Sequence, residues 1–148
     1  MSTLPRRPAT AGTSAPLTTP ARPFRRTLVV AETCIALGAL MGTFMLVAGV
    51  GTPPLSAIDV IGLESWVLPG VWLFVSVAVP SATAAWLAAR GSRHAPDAVL
   101  VASALLVVEL AVQLPFLGFS LFPLVFGVLA VVLAVVALTA KASGGWAA

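Results

Sequence analysis

A single acidic residue, Glu109, stands in the middle of a long apolar segment of the sequence. Counted from Asp97 at 1.5 Å per helical residue, it lies about 18 Å into a membrane-spanning helix. A charge at that depth costs on the order of 3 kcal/mol, and no Lys or Arg lies at the same depth on another apolar segment. Because removal from water without a cation favours the uncharged form, we predict that Glu109 is a neutral carboxylic acid that donates a hydrogen bond.

Three other polar side chains are predicted to lie near this carboxyl group. Gln113 follows Glu109 by one helical turn, where it is placed to accept its hydrogen bond. Pro80 has no N–H group, so the carbonyl of Ser76 is left free inside the bilayer and needs a donor. Ser76 also lies at about the depth of Glu109, so either its carbonyl or its hydroxyl group is predicted to bond to this acid. Together with Thr43 on the first apolar segment, these residues form a candidate intramembrane polar cluster.

Two interpretations of this cluster of Glu109, Gln113, Ser76 and Thr43 stay open. In the first, the cluster only holds helices together, and each contact contributes about 0.6 kcal/mol. In the second, it is a proton-linked or ligand-binding site, since acidic residues inside a membrane often mark such pathways.

A second acid, Glu32, lies only about 8 Å inside the first apolar segment. Long basic side chains reach that depth from the membrane surface. We therefore expect an ion pair at the interface, and the available cations are Arg25, Arg26, Arg90 and Arg93. A role in transport is the alternative.

Other reactive groups are scarce, because the chain has one Cys and one His. A zinc site needs three or four protein ligands, and the sequence contains no Gly-rich phosphate-binding loop. We therefore predict no catalytic residue, no metal site and no cofactor. The chain is expected to be non-enzymatic.

The composition determines which elements must position these residues. Of 148 residues, 59% are hydrophobic and 9% are charged, whereas a soluble domain carries about 25% charged residues. Crossing a hydrocarbon core of about 30 Å takes about 20 apolar residues, and four segments qualify: about 27–50, 67–89, 97–115 and 121–140. The last two must fold back on each other, at a turn marked by Pro115, Gly118, Ser120 and Pro123. The predicted fold is all-α, an antiparallel bundle of four transmembrane helices.

The basic residues predict the orientation of this bundle. Lys and Arg near the ends of spans stay on the cytoplasmic side, and all eight flank the same side of the predicted bundle: Arg6, Arg7, Arg22, Arg25, Arg26, Arg90, Arg93 and Lys141. Both termini are therefore expected inside, in a multi-pass protein of a bacterial cytoplasmic (inner) membrane. The membrane topology accounts for the basic residues behind the net charge of +3. The expected partner is therefore the lipid bilayer, and no nucleic acid is expected.

The segments outside the spans have distinct compositions. Residues 1–26 hold five of the twelve prolines and little apolar surface, which is typical of a disordered tail, and 141–148 form a short cytoplasmic tail. The connection 51–66 is rich in apolar residues. It is predicted either as an interfacial helix over 56–63 that begins at a capping box of Ser56 and Asp59, or as an irregular loop over the bundle.

Small residues recur along the first span. Cys34, Gly38 and Gly42 follow one another at intervals of four, and such stripes let helix backbones approach closely. We expect this candidate packing face to lie inside the bundle, and contact between two copies of the chain is the alternative.

The order of these features resembles a group of small four-span membrane proteins from actinobacteria and related bacteria. The resemblance is carried by the glycines of the first span, by Leu68-Pro69-Gly70 after an apolar loop, and by Gln113 near the end of the third span. The layout is also similar to that of DoxX-type four-helix membrane proteins. The resemblance implies a four-helix membrane fold and brings no activity with it.

Two classes of function are compatible with these predictions. The first is a non-enzymatic small integral membrane protein that acts through contacts with lipid, with other membrane proteins or with a second copy of itself. The alternative is a small proton-coupled transporter in which Glu109 changes its protonation state.

Overall fold

The computed structural model describes residues 22–117 and 121–142, and within them the chain is helical without strands. The helices are α1 (Arg22–Ala48), α2 (Ser56–Asp59), α3 (Val67–Leu73), α4 (Val79–Ala89), α5 (Ala95–Leu117) and α6 (Leu121–Ala142), and a π-helical turn over Phe74–Ala78 joins α3 to α4. The predicted all-α fold is confirmed. Residues 1–21 of the predicted tail and residues 143–148 of the second tail lie outside the described residues.

Four helical stretches are long and apolar enough to cross a membrane: Phe24–Ala48, Val67–Ala89, Ala95–Phe116 and Pro123–Ala142. These match the four predicted spans, and the second consists of α3, the π-helical turn and α4. The chain is an integral membrane protein. The orientation of the bundle in the membrane stays a prediction.

The first helix begins earlier than the predicted span, which started at residue 27. Arg25 lies inside α1, and its guanidinium Nη2 donates a hydrogen bond to the carbonyl of Ala89 at the end of α4. A long side chain of this kind keeps its charged group at the interface while its stem stays in the helix. Arg22, Arg25 and Arg26 therefore lie within α1 instead of preceding it.

Neighbouring helices of the bundle pack through small side chains. Span one packs against span two, α4 packs against α5, and α5 packs against α6. The core is rich in buried alanine, namely Ala84, Ala88, Ala95, Ala102, Ala130 and Ala137. Alanine lets the helix backbones approach closely. The hydrophobic effect is weak between helices in lipid, so close van der Waals contact of this kind holds them together.

The α5–α6 turn has the predicted prolines at its two ends. Pro115 lies in the last turns of α5 and Pro123 in the first turn of α6. An N–H group in the first turn has no carbonyl acceptor within the helix, so proline at position 123 removes no hydrogen bond. At the other end of the two helices, Lys141 Nζ lies 2.6 Å from Asp97 Oδ1. We call this the basic end and the opposite one the α2 end. The predicted turn residues Gly118 and Ser120 lie outside the described residues.

The π-helical turn ends at Ala78, two residues before Pro80. The N–H group of Val79 donates to the carbonyl of Phe74, five residues back. This turn of the helix is therefore wider than an α-helical turn. Proline cannot donate to the preceding turn, and a local π-helical adjustment is one way in which membrane helices tolerate it. The wide turn places Ser76, which is 7% exposed, toward the interior of the bundle.

The connection 51–66, which we call the α2 segment, contains a single helical turn. The interfacial helix predicted over 56–63 is too long, because α2 ends at Asp59 and Gly62 has a φ of +71°. This left-handed conformation suits glycine, and it lets Leu63 N–H donate to the carbonyl of Ile58 at 3.4 Å. The chain thereby turns back toward the bundle.

The predicted capping box at the start of α2 is wrong. Leu55 occupies the N-cap position and no side chain caps the helix. Ser56 is already the first helical residue, so its hydroxyl is one position too late to meet the free N–H groups of the first turn.

The stripe of Cys34, Gly38 and Gly42 does not form the inner face of α1. Cys34 and Gly38 are exposed. An added Cβ would lie 3.1 Å from a methyl group of Leu73 at Gly42, and 3.9 Å from the ring of Phe126 in α6 at Gly38. The inner face is instead the row Leu28, Glu32, Ile35 and Ala39. Each helical residue turns about 100° from the last, so the stripe lies beside this face. Cys34 therefore does not lie on the inner face of the bundle, and contact between two copies of the chain stays a prediction.

Candidate functional site

Three of the four residues in the predicted polar cluster form a hydrogen-bonded group. Gln113 Nε2 donates to Glu109 Oε1 at 2.9 Å, and Ser76 Oγ lies 3.1 Å from Glu109 Oε2. Glu109 is 5% exposed. Gln113 and Glu109 are neighbours one turn apart on α5, and Ser76 reaches them from the π-helical turn of span two. We call Ser76, Glu109 and Gln113 the carboxyl cluster.

The Ser76 hydroxyl has two acceptors and one hydrogen. Its Oγ also lies 2.8 Å from the carbonyl oxygen of Trp72. If Glu109 is protonated, it donates to Ser76 Oγ while Ser76 donates to the Trp72 carbonyl. If Glu109 is ionised, Ser76 donates to the carboxylate instead. The carboxyl cluster is hydrogen-bonded in both protonation states.

The hydrogen bonds agree with one part of the prediction and differ from another. Ser76 bonds to Glu109 through its hydroxyl group, which is one of the two groups of Ser76 that were predicted to do so. Gln113 donates to Glu109, although the sequence predicted that it accepts. The amide donor satisfies Oε1 and leaves Oε2 to exchange its hydrogen with Ser76.

Thr43 does not join the carboxyl cluster. Its buried Oγ1 has no hydrogen-bond partner within residues 22–117 and 121–142. The reason is its helix: α1 packs against span two, and an added Cβ on Gly70 of α3 would lie 3.3 Å from the Thr43 carbonyl. The backbone of Thr43 therefore lies against α3, whereas Glu109 lies on α5.

Beside the carboxyl cluster, a cavity of about 380 Å³ opens under the α2 segment. This volume lies within the range of about 300–1,000 Å³ that is usual for small-molecule sites. Glu109 and Gln113 line it as its polar groups, and its apolar lining includes Ile58, Leu63, Trp66, Trp72, Val112 and Phe116. A mostly apolar wall with a few polar groups at one place is typical of a binding site for a small molecule.

The α2 segment forms the roof of this cavity and is anchored at two points. Ile58 is 2% exposed and contributes to the lining. Trp66 Nε1 donates to the carbonyl oxygen of Pro53 at 2.9 Å, which ties the two ends of the segment together. This cavity was not predicted from the sequence. The signal for it was the run of apolar residues in a connection that would otherwise be polar.

The charges around the cavity are acidic. Its lining contains no basic side chain, and the α2 segment carries two exposed acids, Asp59 and Glu64, without any Lys or Arg. The basic residues Arg25, Arg90 and Lys141 lie at the opposite end of the bundle. A cation near the cavity therefore meets only negative or neutral groups.

The second buried acid, Glu32, lies away from the cavity on the inner face of α1. It is 1% exposed, and neither carboxyl oxygen has a hydrogen-bond partner among the described residues. Ser81 of α4, also 1% exposed, is the hydroxyl group that faces it. The predicted interfacial ion pair is wrong, because Arg25 bonds to the carbonyl of Ala89 and Arg90 stacks on Trp86 with 4.2 Å between Cζ and the ring centre.

The described part of the chain holds no group of three or more His, Cys, Asp and Glu side chains that could bind a metal ion. Comparison with protein-family models, with curated proteins and with solved structures finds no match to this chain. The resemblance to DoxX-type proteins therefore stays a prediction.

Proposed function

We propose that this integral membrane protein is non-enzymatic and acts by binding an apolar molecule from the lipid phase in the cavity beneath the α2 segment. The single observation that supports this proposal is the position of the carboxyl cluster, because Glu109 and Gln113 are the polar groups of an otherwise apolar lining. The molecule binds through its apolar body and is oriented by one polar end. Contacts with lipid were expected from the sequence, and this proposal assigns them to one binding site.

The chemistry of the cavity supports binding over catalysis. Gln113 and Glu109 each offer hydrogen bonds to a ligand, whereas a nucleophile next to a general base is not present in the lining. Buried polar groups of this kind fix the orientation of a ligand. We therefore propose that the carboxyl cluster recognises one end of the bound molecule.

The rim of the cavity supports entry from the membrane. Leu68, Trp72 and Val112 are all about half exposed on the outer surface of the bundle, and all three line the cavity. In a transmembrane bundle this surface faces lipid. A molecule dissolved in the bilayer therefore reaches the cavity without crossing water.

Photolabelling tests this proposal. A photoactivatable octanol that carries a diazirine is added to the protein in liposomes, and the labelled residues are mapped by mass spectrometry. We expect label on Ile58, Leu63 and Glu109, all of which line the cavity. Excess unlabelled octanol should remove this label, because a site saturates and bulk lipid does not.

A pair of matched variants separates the cavity from the lipid surface. Val112→Phe fills the cavity, and we expect it to remove most of the label from Ile58 and Leu63. Val101→Phe is the control, because Val101 lies on the same helix, is similarly exposed and is not part of the lining. Equal labelling of both variants would contradict the proposal, as would label spread evenly over the lipid-facing residues of α6.

A second candidate function, a proton-coupled transporter, is favoured by the hydrogen bonds of Ser76. Because the carboxyl cluster is satisfied with Glu109 protonated or ionised, a proton can leave without a buried group losing its partner. Liposomes with wild-type protein or Glu109→Gln test this candidate through solute flux driven by a pH gradient. A binding protein that does not transport should show no flux in either case.

A further inference from the structure

We propose that the cavity beneath the α2 segment binds a lipophilic monocation, which takes the place of the proton on Glu109. This inference rests on the proposed function, because it names the ligand class of the same cavity. It depends on three features of the cavity: its lone acid, its two indole rings and the acidic surface above it.

The lone acid sets the charge of the ligand. Glu109 is 5% exposed and the lining contains no basic side chain, so an ionised carboxylate in the empty cavity has no counter-charge. An anionic ligand would add a second negative charge to a site with low dielectric, which is unfavourable. A monovalent cation neutralises the carboxylate, and no second acid lines the cavity to favour a divalent ion.

The indole rings set the shape and hydration of the cation. Trp66 and Trp72 both line the cavity, and the face of an indole ring attracts cations, more strongly when water is excluded. Most of the remaining lining is aliphatic, so it cannot replace the water shell of a small inorganic ion. An organic cation with its charge spread over an apolar body fits both properties.

The surface above the cavity favours the approach of a cation. Asp59 and Glu64 lie on the α2 segment, which has no basic residue. Acidic groups near the mouth of a site raise the local concentration of cations. The same groups would repel a lipophilic anion of equal size.

Binding exchanges one proton for one positive charge. The Glu109 carboxyl loses its proton to water at the α2 end, the Ser76 hydroxyl turns from the Trp72 carbonyl to the carboxylate, and the cation lies against the ionised oxygens. The hydrogen-bond distances of 2.8 Å and 3.1 Å from Ser76 Oγ allow both arrangements without a change in the backbone. Charge is conserved, because one cation enters as one proton leaves.

The other titratable groups around Glu109 lie at the ends of the packed elements. Span two carries none from Val67 to Ala89, and the α2 segment carries the exposed Asp59 and Glu64. On α5 and α6, Asp97 and Lys141 pair with each other at the basic end. Glu109 is therefore the ionisable group that lines the cavity.

Binding of tetraphenylphosphonium to the purified protein in detergent tests the exchange. We expect release of about one proton for each bound cation, measured with an indicator in weakly buffered solution, and tighter binding of the cation at higher pH. Glu109→Gln should lose both cation binding and proton release, and Glu109→Asp should keep part of each. Proton release from Glu109→Gln would overturn the proposal.

Two controls assign the effect to this acid and to the sign of the charge. Glu32→Gln changes the other buried acid and should release protons as the wild type does. Tetraphenylborate has the same shape with the opposite charge, and its binding at equal affinity would contradict the proposal. If octanol still labels the cavity while tetraphenylphosphonium fails to bind, the cavity is a ligand site but the proposed cationic ligand is wrong. If neither compound binds, the proposed function fails as well.

Discussion

At the scale of single residues, the two buried acids differ in what surrounds them. Glu109 has donors on both carboxyl oxygens, whereas Glu32 has none among the described residues. A buried polar group without partners costs about 1–3 kcal/mol, and more when it is charged. We therefore expect Glu32 to contribute less to the contact between α1 and α4 than the hydrogen bonds of Glu109 contribute to the contact between span two and α5.

Replacing Glu32 by methionine should stabilise the bundle. Methionine has a similar length and needs no hydrogen bond, and the exchange of buried ionisable groups for apolar ones of similar volume often stabilises by about 1–4 kcal/mol. We expect a higher Tm in detergent for Glu32→Met. A lower Tm would show that the carboxyl group has a stabilising partner.

Replacing Ser76 by alanine should destabilise the bundle slightly, by about 0.6–1.5 kcal/mol, because it removes a hydrogen bond to Glu109. Ser103→Ala is the matched control, since Ser103 Oγ is also buried but has no hydrogen-bond partner within the described residues. The control should be neutral or stabilising. Both variants are compared by unfolding in mixed detergent, and an equal loss in the two would contradict the assigned role of Ser76.

At the scale of the helices, close approach of α1 and α3 depends on Gly70. A Cβ added there would lie 3.1 Å from Leu46 Cβ, 3.1 Å from Val47 Cγ2 and 3.3 Å from the Thr43 carbonyl oxygen. Since two of these three atoms cannot rotate away, α1 and α3 would have to separate. This contact lies at the α2 end, beside the cavity.

The variant Gly70→Ala should therefore lower the free energy of unfolding by about 1–3 kcal/mol. Gly127→Ala in α6 is the control, because the added Cβ would lie at an ordinary contact distance of 3.7 Å from a Leu110 methyl group. Unfolding measured by circular dichroism in detergent compares the two. A smaller effect at Gly70 than at Gly127 would mean that α1 and α3 are not closely packed.

The elements were predictable from the sequence to the extent that each follows from its own composition. Apolar length gave the four spans, and a count of residues along each span placed Ser76 at the depth of Glu109. The rotation of each helix about its axis was not predictable in this way. That rotation turned Cys34 away from the inner face of α1, turned Glu32 inward away from the arginines, and separated Thr43 from the carboxyl cluster.

The cavity also depended on contacts between distant segments. It requires the α2 segment to fold over α3 and α5, and this fold is set by the positive φ of Gly62 and by the hydrogen bond from Trp66 to Pro53. A sequence pattern shows that the segment is apolar but not where it folds back. The acid was predictable, whereas the apolar site around it was not.

At the scale of the whole molecule, the connections at the two ends of the bundle carry opposite charges. The α2 segment holds Asp59 and Glu64, and the basic end holds the arginines and the ion pair of Lys141 with Asp97. Because basic connections stay in the cytoplasm, we expect the α2 end outside. The proposed exchange then takes its cation from the outer leaflet of the membrane and releases the proton to the outer side.

Labelling of single cysteines should test this orientation. In a Cys34→Ala background, Val60→Cys, at a position 88% exposed on the α2 segment, should react with a membrane-impermeant maleimide on intact cells. His94→Cys, in the exposed turn at the basic end, should react only after permeabilisation. The reverse pattern would place the cavity on the cytoplasmic side, and reaction of both from outside would contradict the four-span bundle itself. Because the cavity lies at only one end, this result also decides which face of the membrane supplies its ligand.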